Sequence, residues 1–337
     1  MSAFWKGKKV LVTGGAGFIG SHVVEQLLER APTVKITVAD RMTPEHKDNL
    51  ASVIKDVRVL TADLRSTEAC RAACRGQDVV LNLAASVAGV GWNMSHHGTM
   101  FRDNMTLALN MLDAARLESV KRFLVVSSAC VYPRACTIPT PESEGFKDSP
   151  EVTNEGYGWA KRMAEFAGAA YAAEFGMEVA IARPYNAYGP RDHFDPEKSH
   201  VIAALVRRVC EGEDPVMVWG DGKSTRAFLF VEDFARGLLE VAERYPKADP
   251  VNVGSNEEVS IRELAEKVVA AAKSKAKLVF DPSKPSGQPR RACDTSKAET
   301  LLGFKALVGL EEGLERTVSW YRAHKMHKKP ARKTKAR

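Results

Sequence analysis

The sequence predicts an α/β fold, a doubly wound parallel sheet joined to a smaller, interleaved α/β unit. Three observations lead there. Strand-like apolar runs recur at residues 8–13, 34–39, 57–60, 79–83, 122–127 and 178–182. Segments with helical spacing lie between them, notably 19–30, 100–117 and 157–175. A glycine-rich turn follows the first run directly and opens the first helix. Strands that alternate with helices in this way pair in parallel, because each crossover packs its helix against a face of the sheet.

Taken in order, residues 8–13 (KKVLVT) and 34–39 (VKITVA) are β-branched runs of strand length, and residues 19–30 between them repeat apolar positions at helical spacing. Residues 57–60, 79–83 and 122–127 repeat the strand pattern, and 100–117 and 157–175 supply long helices around the fifth strand. After Arg183 the regularity breaks into Gly/Pro/Asp-rich stretches, RPYNAYGPRDHFDP and WGDGKSTRAF, with later helices at 261–272 and 310–322. This pattern divides the chain into a first domain over residues 1–183 and a smaller one over 184–229 and 255–324, with 230–254 returning to the first sheet. Residues 325–337 form a disordered basic tail.

Composition bounds the function. With 337 residues, 45% apolar and 27% charged, the chain is an ordinary globular one, and no apolar run approaches the roughly 18 residues of a membrane span. The net charge of +7 sits in the tail: residues 325–337 hold seven Lys/Arg and no acid, leaving 42 charges of each sign elsewhere. Nucleic acid is therefore not an expected partner of the folded part. No secretory signal precedes the first strand, and the six cysteines match no zinc spacing, so a reducing cytoplasm is the expected compartment and no metal is expected. Cys70 and Cys74, four apart without a second ligand pair, read as core thiols, and Met100, Met105 and Met111 as core or interface side chains.

Gly14, Gly17 and Gly20 in TGGAGFIG have the strand-turn-helix context of a Rossmann-type dinucleotide fingerprint. Such a turn brings backbone amides and a helix N-terminus against a pyrophosphate. Phe18 and Ile19 belong to the same turn. Asp40, twenty residues beyond Gly20, is placed to accept hydrogen bonds from the ribose hydroxyls, which favours NAD over NADP, although neighbouring Arg41 could serve a 2′-phosphate. Asp63, with Leu64 beside it, and Ala84 after the fourth run complete the expected cofactor contacts.

Tyr157 and Lys161 stand four residues apart and so share a helix face, where the cation is expected to favour the phenolate. Ser128 ends the strand before that helix and can hold the same substrate oxygen. With SSACVYP, YGWAK, RPYNAYGPRDHF, KSHVIAALVRR, VWGDGKSTRAFLFVED and KPSGQPRR, the chain resembles the extended short-chain dehydrogenase/reductases over residues 8–323. Within them it is most similar to the branch that epimerises C3 and C5, the GDP-L-fucose synthases and GDP-mannose 3,5-epimerases. The resemblance implies a redox triad of Ser128, Tyr157 and Lys161, and an epimerisation pair of Cys130 and His200. Lys198 is the competing acid.

That pair suits the chemistry. A C4 ketone acidifies the protons on C3 and C5, and inversion needs a base on one face and an acid on the other; thiols and imidazoles titrate at about 8.5 and 6.5, within reach of neutrality. Cys130 lies two residues after Ser128, so on an extended backbone both would face the same side. Dehydratases of the family carry an Asp-Glu pair where this chain has Ala129 and Cys130, which argues against dehydration. Simple C4-epimerases need no cysteine there.

By the same resemblance Arg208, Trp219, Arg226 and Lys284 stand where the family holds a nucleoside diphosphate, joined by Asn186 and Val201. The function expected is an NAD(P)-dependent epimerase of a nucleotide sugar, GDP-linked by resemblance, working through a 4-keto intermediate as a GDP-mannose 3,5-epimerase does. A GDP-L-fucose synthase-like epimerase/reductase is the first alternative, and a non-catalytic dinucleotide-binding scaffold docking through its basic tail the second. The family's habit of pairing helices equivalent to 100–117 and 157–175 implies a homodimer.

Overall fold

The computed structural model describes residues 2–87, 89–196, 199–284 and 288–326. Lys198, part of the KPSGQPRR motif and the basic tail from residue 327 lie outside them. In chain order the first half runs β1 (Lys9–Thr13), α1 (Phe18–Arg30), β2 (Lys35–Asp40), α2 (Pro44–Asn49), β3 (Val57–Thr61), α3 (Thr67–Cys74), β4 (Val79–Asn82), α4 (Val90–Ser95), α5 (His97–Leu117), β5 (Arg122–Val126), α6 (Glu155–Phe175) and β6 (Glu178–Pro184). The second half adds β7 (Ala187–Tyr188), α7 (Val201–Cys210), β8 (Val216–Trp219), β9 (Thr225–Ala227), β10 (Leu229–Phe230), α8 (Val231–Arg244), β11 (Pro250–Val253), β12 (Glu258–Ser260), α9 (Ile261–Ala271), β13 (Leu278–Asp281), β14 (Arg290–Arg291), α10 (Ser296–Leu302) and α11 (Leu310–His324).

Seven strands form one parallel sheet in the order β11-β6-β5-β4-β1-β2-β3. The strands predicted from the sequence appear within a residue or two of their expected ends, and the segment expected to return to the sheet does so as β11, pairing Val251 with Ala182. Both faces of the sheet are covered. On one, Val10, Val12, Val24, Leu27 and Val38 pack with α8; on the other, Leu11, Val80, Phe123, Met111 and Ile181 pack with α3, α5 and α6. A parallel sheet buried on both sides explains why its strands read as continuous apolar runs instead of alternating ones. Cys70 and Cys74 are buried in the second of these cores, where desolvation pushes each thiol up to about 12.

The strand order reverses between β1 and β4, which opens a crevice at their carboxyl ends. Thr13 Oγ1 donates to Asn82 Oδ1 at 2.7 Å and accepts from the Ala84 N–H at 3.0 Å, tying the two strand ends together below that crevice. A separate core gathers side chains from α7, β8, α9 and α11 with Phe228 and Phe230. Two small sheets belong to this second half, β8 paired with β13 and β9 between β12 and β14.

Candidate active site

The turn from β1 into α1 forms one wall. Gly14 adopts φ +63°, the left-handed conformation that admits glycine readily, and a Cβ on Gly20 would come 2.2 Å from the Gly14 carbonyl oxygen. The chain can therefore make this tight turn only with glycine at both ends. Gly17 is the N-cap of α1 and no side chain caps the helix, so its N-terminal amides face the crevice. This cradle fits a dinucleotide pyrophosphate.

Asp40 ends β2 beside the turn, 6% exposed. It accepts from the N–H groups of Ala16 at 3.3 Å and Met42 at 2.9 Å, and lies 2.6 Å from His46 Nδ1. Burial opposes its charge, but the hydrogen bonds from His46 and Met42 outweigh it and hold the carboxyl below its usual range. Asp63 is exposed, and Arg65 grips its carboxylate through side-chain and backbone hydrogen bonds that lower it to about 2. The Leu64 side chain is buried in the core.

The opposite wall begins where β5 ends. Ser128 caps a short 3-10 turn, Ala129–Val131, and its hydroxyl accepts from the Cys130 N–H at 3.1 Å. The extended backbone expected at Cys130 is thus a turn, and the two residues are held together by this cap rather than by strand alternation. Tyr157 approaches from α6. A Cβ on Gly158 would lie 2.5 Å from the Cys130 carbonyl oxygen, so the glycine beside Tyr157 lets the helix close onto the turn. Ser128 hydrogen-bonds the tyrosine hydroxyl. Lys161 Nζ donates to the Val126 carbonyl at 2.8 Å and lies 5.4 Å from the centre of the Tyr157 ring.

The expectation that Lys161 depresses the Tyr157 phenol is reversed here. Burial, with Cys130 adding to it, raises Tyr157, and the Ser128 hydrogen bond only moderates the effect. Burial also pushes Lys161 down to about 8, against attraction from Cys130 and Glu165. In a desolvated crevice burial disfavours the charged form of each.

His200 caps α7 on the far side. Solvent reaches its side chain, yet the cleft walls crowd it, and this desolvation together with His193 and Arg291 lowers its imidazole. Val201 follows as the first residue of α7, partly buried.

Sequence reasoning missed Arg291. Its guanidinium donates to Cys130 Sγ at 3.6 Å, and it faces Arg226 across the parallel pair β14 and β9. Burial and Arg291 together lower Arg226 to about 10. Strand alternation signals only that one arginine of the pair turns in; the structure shows which, since Arg290 turns out to Glu258 at 2.8 Å and leaves Arg291 turned in.

The remaining expected substrate residues divide. Arg208 bonds Glu213 at 2.7 Å and the Met217 carbonyl, bringing it near Trp219 at the end of β8, opposite Asp281 and hence close to Lys284. Trp219 is 57% exposed, a flat apolar face open to stacking. Asn186 spends its amide on the Ala227 carbonyl at 2.8 Å, a structural tie from its loop to the end of β9.

Comparison with known proteins decides the family: residues 10–254 match the NAD dependent epimerase/dehydratase family. The chain belongs to that family. It is 36% identical over 321 residues to the probable GDP-L-fucose synthase 1 of Oryza sativa subsp. japonica, covering 94% of this chain and 92% of that one. It is 33% identical over 320 residues to the GDP-mannose 3,5-epimerase of Arabidopsis thaliana, covering 93% and 81%. Among solved structures, UDP-glucose 4-epimerase of Thermotoga maritima superposes with a TM-score of 0.84 at 27% identity, covering 94% of this chain and 99% of that one. As a member of this family the chain is an extended short-chain dehydrogenase/reductase enzyme with a Rossmann-type core. No helix among the described residues is long and apolar enough to cross a membrane.

Proposed function

We propose that the chain epimerises a nucleotide sugar at C3, C5 or both through a 4-keto intermediate, with a GDP-hexose as substrate in the manner of a GDP-mannose 3,5-epimerase. One observation carries this reading: a thiol, Cys130, shares the crevice with Ser128, Tyr157 and Lys161 and bonds a guanidinium there. A cysteine beside the oxidoreduction residues has no task in simple hydride transfer, whereas proton abstraction next to a carbonyl requires a base.

NAD, when bound, supplies hydride removal and return at C4. The chain's own residues do the rest. Ser128 and Tyr157 hold the C4 oxygen; to take its proton as the ketone forms Tyr157 must enter as the phenolate, a state that burial disfavours in this crevice and that the positive charge of NAD, when bound, would favour, and it returns the proton later. The Cys130 thiolate removes the proton from the neighbouring carbon, and the electron pair passes to the oxygen held by Ser128 and Tyr157. His200 delivers a proton to the other face, and the carbon is inverted. Interaction of both Cys130 and His200 with Arg291 supports their facing one cleft.

For the cofactor we favour NAD over NADP, because the ionised, buried Asp40 would meet a 2′-phosphate with like charge. Arg226 on one side, and Arg208, Trp219 and Lys284 on the other, support a nucleoside diphosphate as the group held by the second unit, which we read as the substrate-binding unit. A homodimer fits the apolar side chains left exposed on the paired helices, Phe101, Leu109 and Leu117 on α5 and Phe166 and Phe175 on α6. The six unpaired cysteines fit a reducing compartment such as the cytoplasm.

The test is incubation with GDP-mannose in deuterated water without added cofactor, after analysis of small molecules released from the purified protein. Retained NAD and deuterium at C3 or C5 are expected, and Cys130→Ser should lose the exchange while keeping nucleotide affinity. Full exchange in that variant would remove Cys130 from the chemistry. The second reading, an epimerase/reductase, is favoured by the likeness to a GDP-L-fucose synthase; it requires a protein without retained cofactor that consumes NAD(P)H when given a 4-keto-6-deoxy sugar nucleotide.

A further inference from the structure

We propose that Arg291 is the positioning residue for Cys130: its guanidinium fixes the sulfur in the crevice and sets a permanent positive charge beside it. The inference rests on the reading of Cys130 as the base and adds the group that would make it one.

The geometry is built for this contact. Arg291 arrives on a two-residue strand whose other member, Arg290, is pinned outside by Glu258 at 2.8 Å. The strand is held in register by Arg290 opposite Thr225 and Arg291 opposite Arg226, and the Thr225 N–H donates to the Pro289 carbonyl at 2.9 Å. With one side chain tied out, alternation sends the next one in, where its Nη2 lies 3.6 Å from Cys130 Sγ. The sulfur is equally constrained, because its residue sits in the turn capped by Ser128 and pressed by α6 at Gly158.

Other charges face the same place. Lys161 and Tyr157 approach Cys130 from α6, but the ammonium of Lys161 is directed at the Val126 carbonyl. Ser128 offers only its hydroxyl. Arg226, His200, Tyr185 and Glu151 face Arg291. Burial works against the charge of Arg291, yet attraction to Cys130 and the hydrogen bond to its sulfur outweigh it and hold the guanidinium above its ordinary value. A guanidinium keeps its charge at every pH at which a sugar nucleotide survives, so its effect on a neighbouring thiol is permanent.

The experiment needs no sugar. Alkylation of Cys130 by iodoacetamide is followed across pH 6 to 10 by mass spectrometry of tryptic residues 123–134, which contain no other cysteine. Arg291→Gln should slow the reaction at pH 7 about tenfold and converge with the unsubstituted protein in alkali, and Arg291→Lys should recover part of the rate. An unchanged profile overturns the proposal, and so does a slowing that is equal at every pH, which would reflect access rather than charge. Should Arg291→Gln not fold, the unsubstituted protein and Cys130→Ser are compared by thiolate absorbance near 240 nm. A difference at pH 7 is expected, and identical spectra there overturn the pairing. Altered alkylation in a protein that exchanges no sugar proton would instead overturn the epimerase reading and leave this contact standing.

Discussion

At one end of the crevice, Gly14, Gly17, Gly20 and the amides of α1 come from a single turn; at the other, Ser128, Tyr157, His200 and Arg291 come from four separate stretches of chain. The cofactor end is local and is shaped by backbone. The chemical end is assembled from a distance and is shaped by side chains and close helix contact. The first should therefore fail gradually when a side chain is changed, and the second abruptly.

The sharpest test of that contrast is Tyr157→Phe, which removes one hydroxyl and should cut hydride transfer by about 10³-fold, within the range for a lost acid/base group. Stopped-flow absorbance of the reduced nicotinamide checks it, and turnover at the original rate would take Tyr157 out of the reaction. Next comes Gly158→Ala. The new Cβ would meet the Cys130 carbonyl oxygen at 2.5 Å, forcing α6 and the turn apart; up to about 10²-fold in kcat is expected, with nucleotide affinity kept. Unaltered kinetics in that variant would show that the close approach does not set the site.

The local end yields smaller effects. His22 on α1 is buried and bonds the Pro190 carbonyl, and burial followed by the charge of Arg191 lowers it from 6.5 to about 4. The unfolded chain then binds this proton below pH 6.5 while the folded protein resists it until about 4, so stability is whole above 6.5 and falls as pH drops through that window. His22→Gln should blunt the fall in melting temperature between pH 6.5 and 4; parallel curves for the two proteins would contradict it. Smallest is Asp40→Asn, expected to weaken NAD about tenfold and to narrow its advantage over NADP, read by calorimetric titration with each cofactor. An unchanged ratio of affinities would mean that Asp40 does not choose the cofactor.

What the sequence made legible follows the same division. The six strands of the first half and the glycine turn were readable because a buried parallel sheet and a phosphate loop each impose their pattern on neighbouring residues. Tyr157 and Lys161 were readable because one helix carries both. Cys130 was singled out by motif, but its backbone was misjudged: the turn beginning at Ser128 depends on a cap hydrogen bond that no alternation of side chains announces. The direction of the Tyr157 shift was hidden too, since it depends on how much protein surrounds the phenol. Arg291 stood in plain sight within an Arg-Arg pair, yet which arginine turns inward depends on a Glu258 contact 32 residues away in the chain.

The seventh strand of the sheet has a consequence for the order of synthesis. The first six strands leave the ribosome before Pro184, but the sheet remains open at β6 until Pro250–Val253 emerges to pair with it, and β14 comes later still. A nascent chain can thus form its phosphate turn, Tyr157 and Cys130 well before Arg291 exists. The guanidinium reaches the sulfur late in synthesis, with only α10 and α11 still to follow.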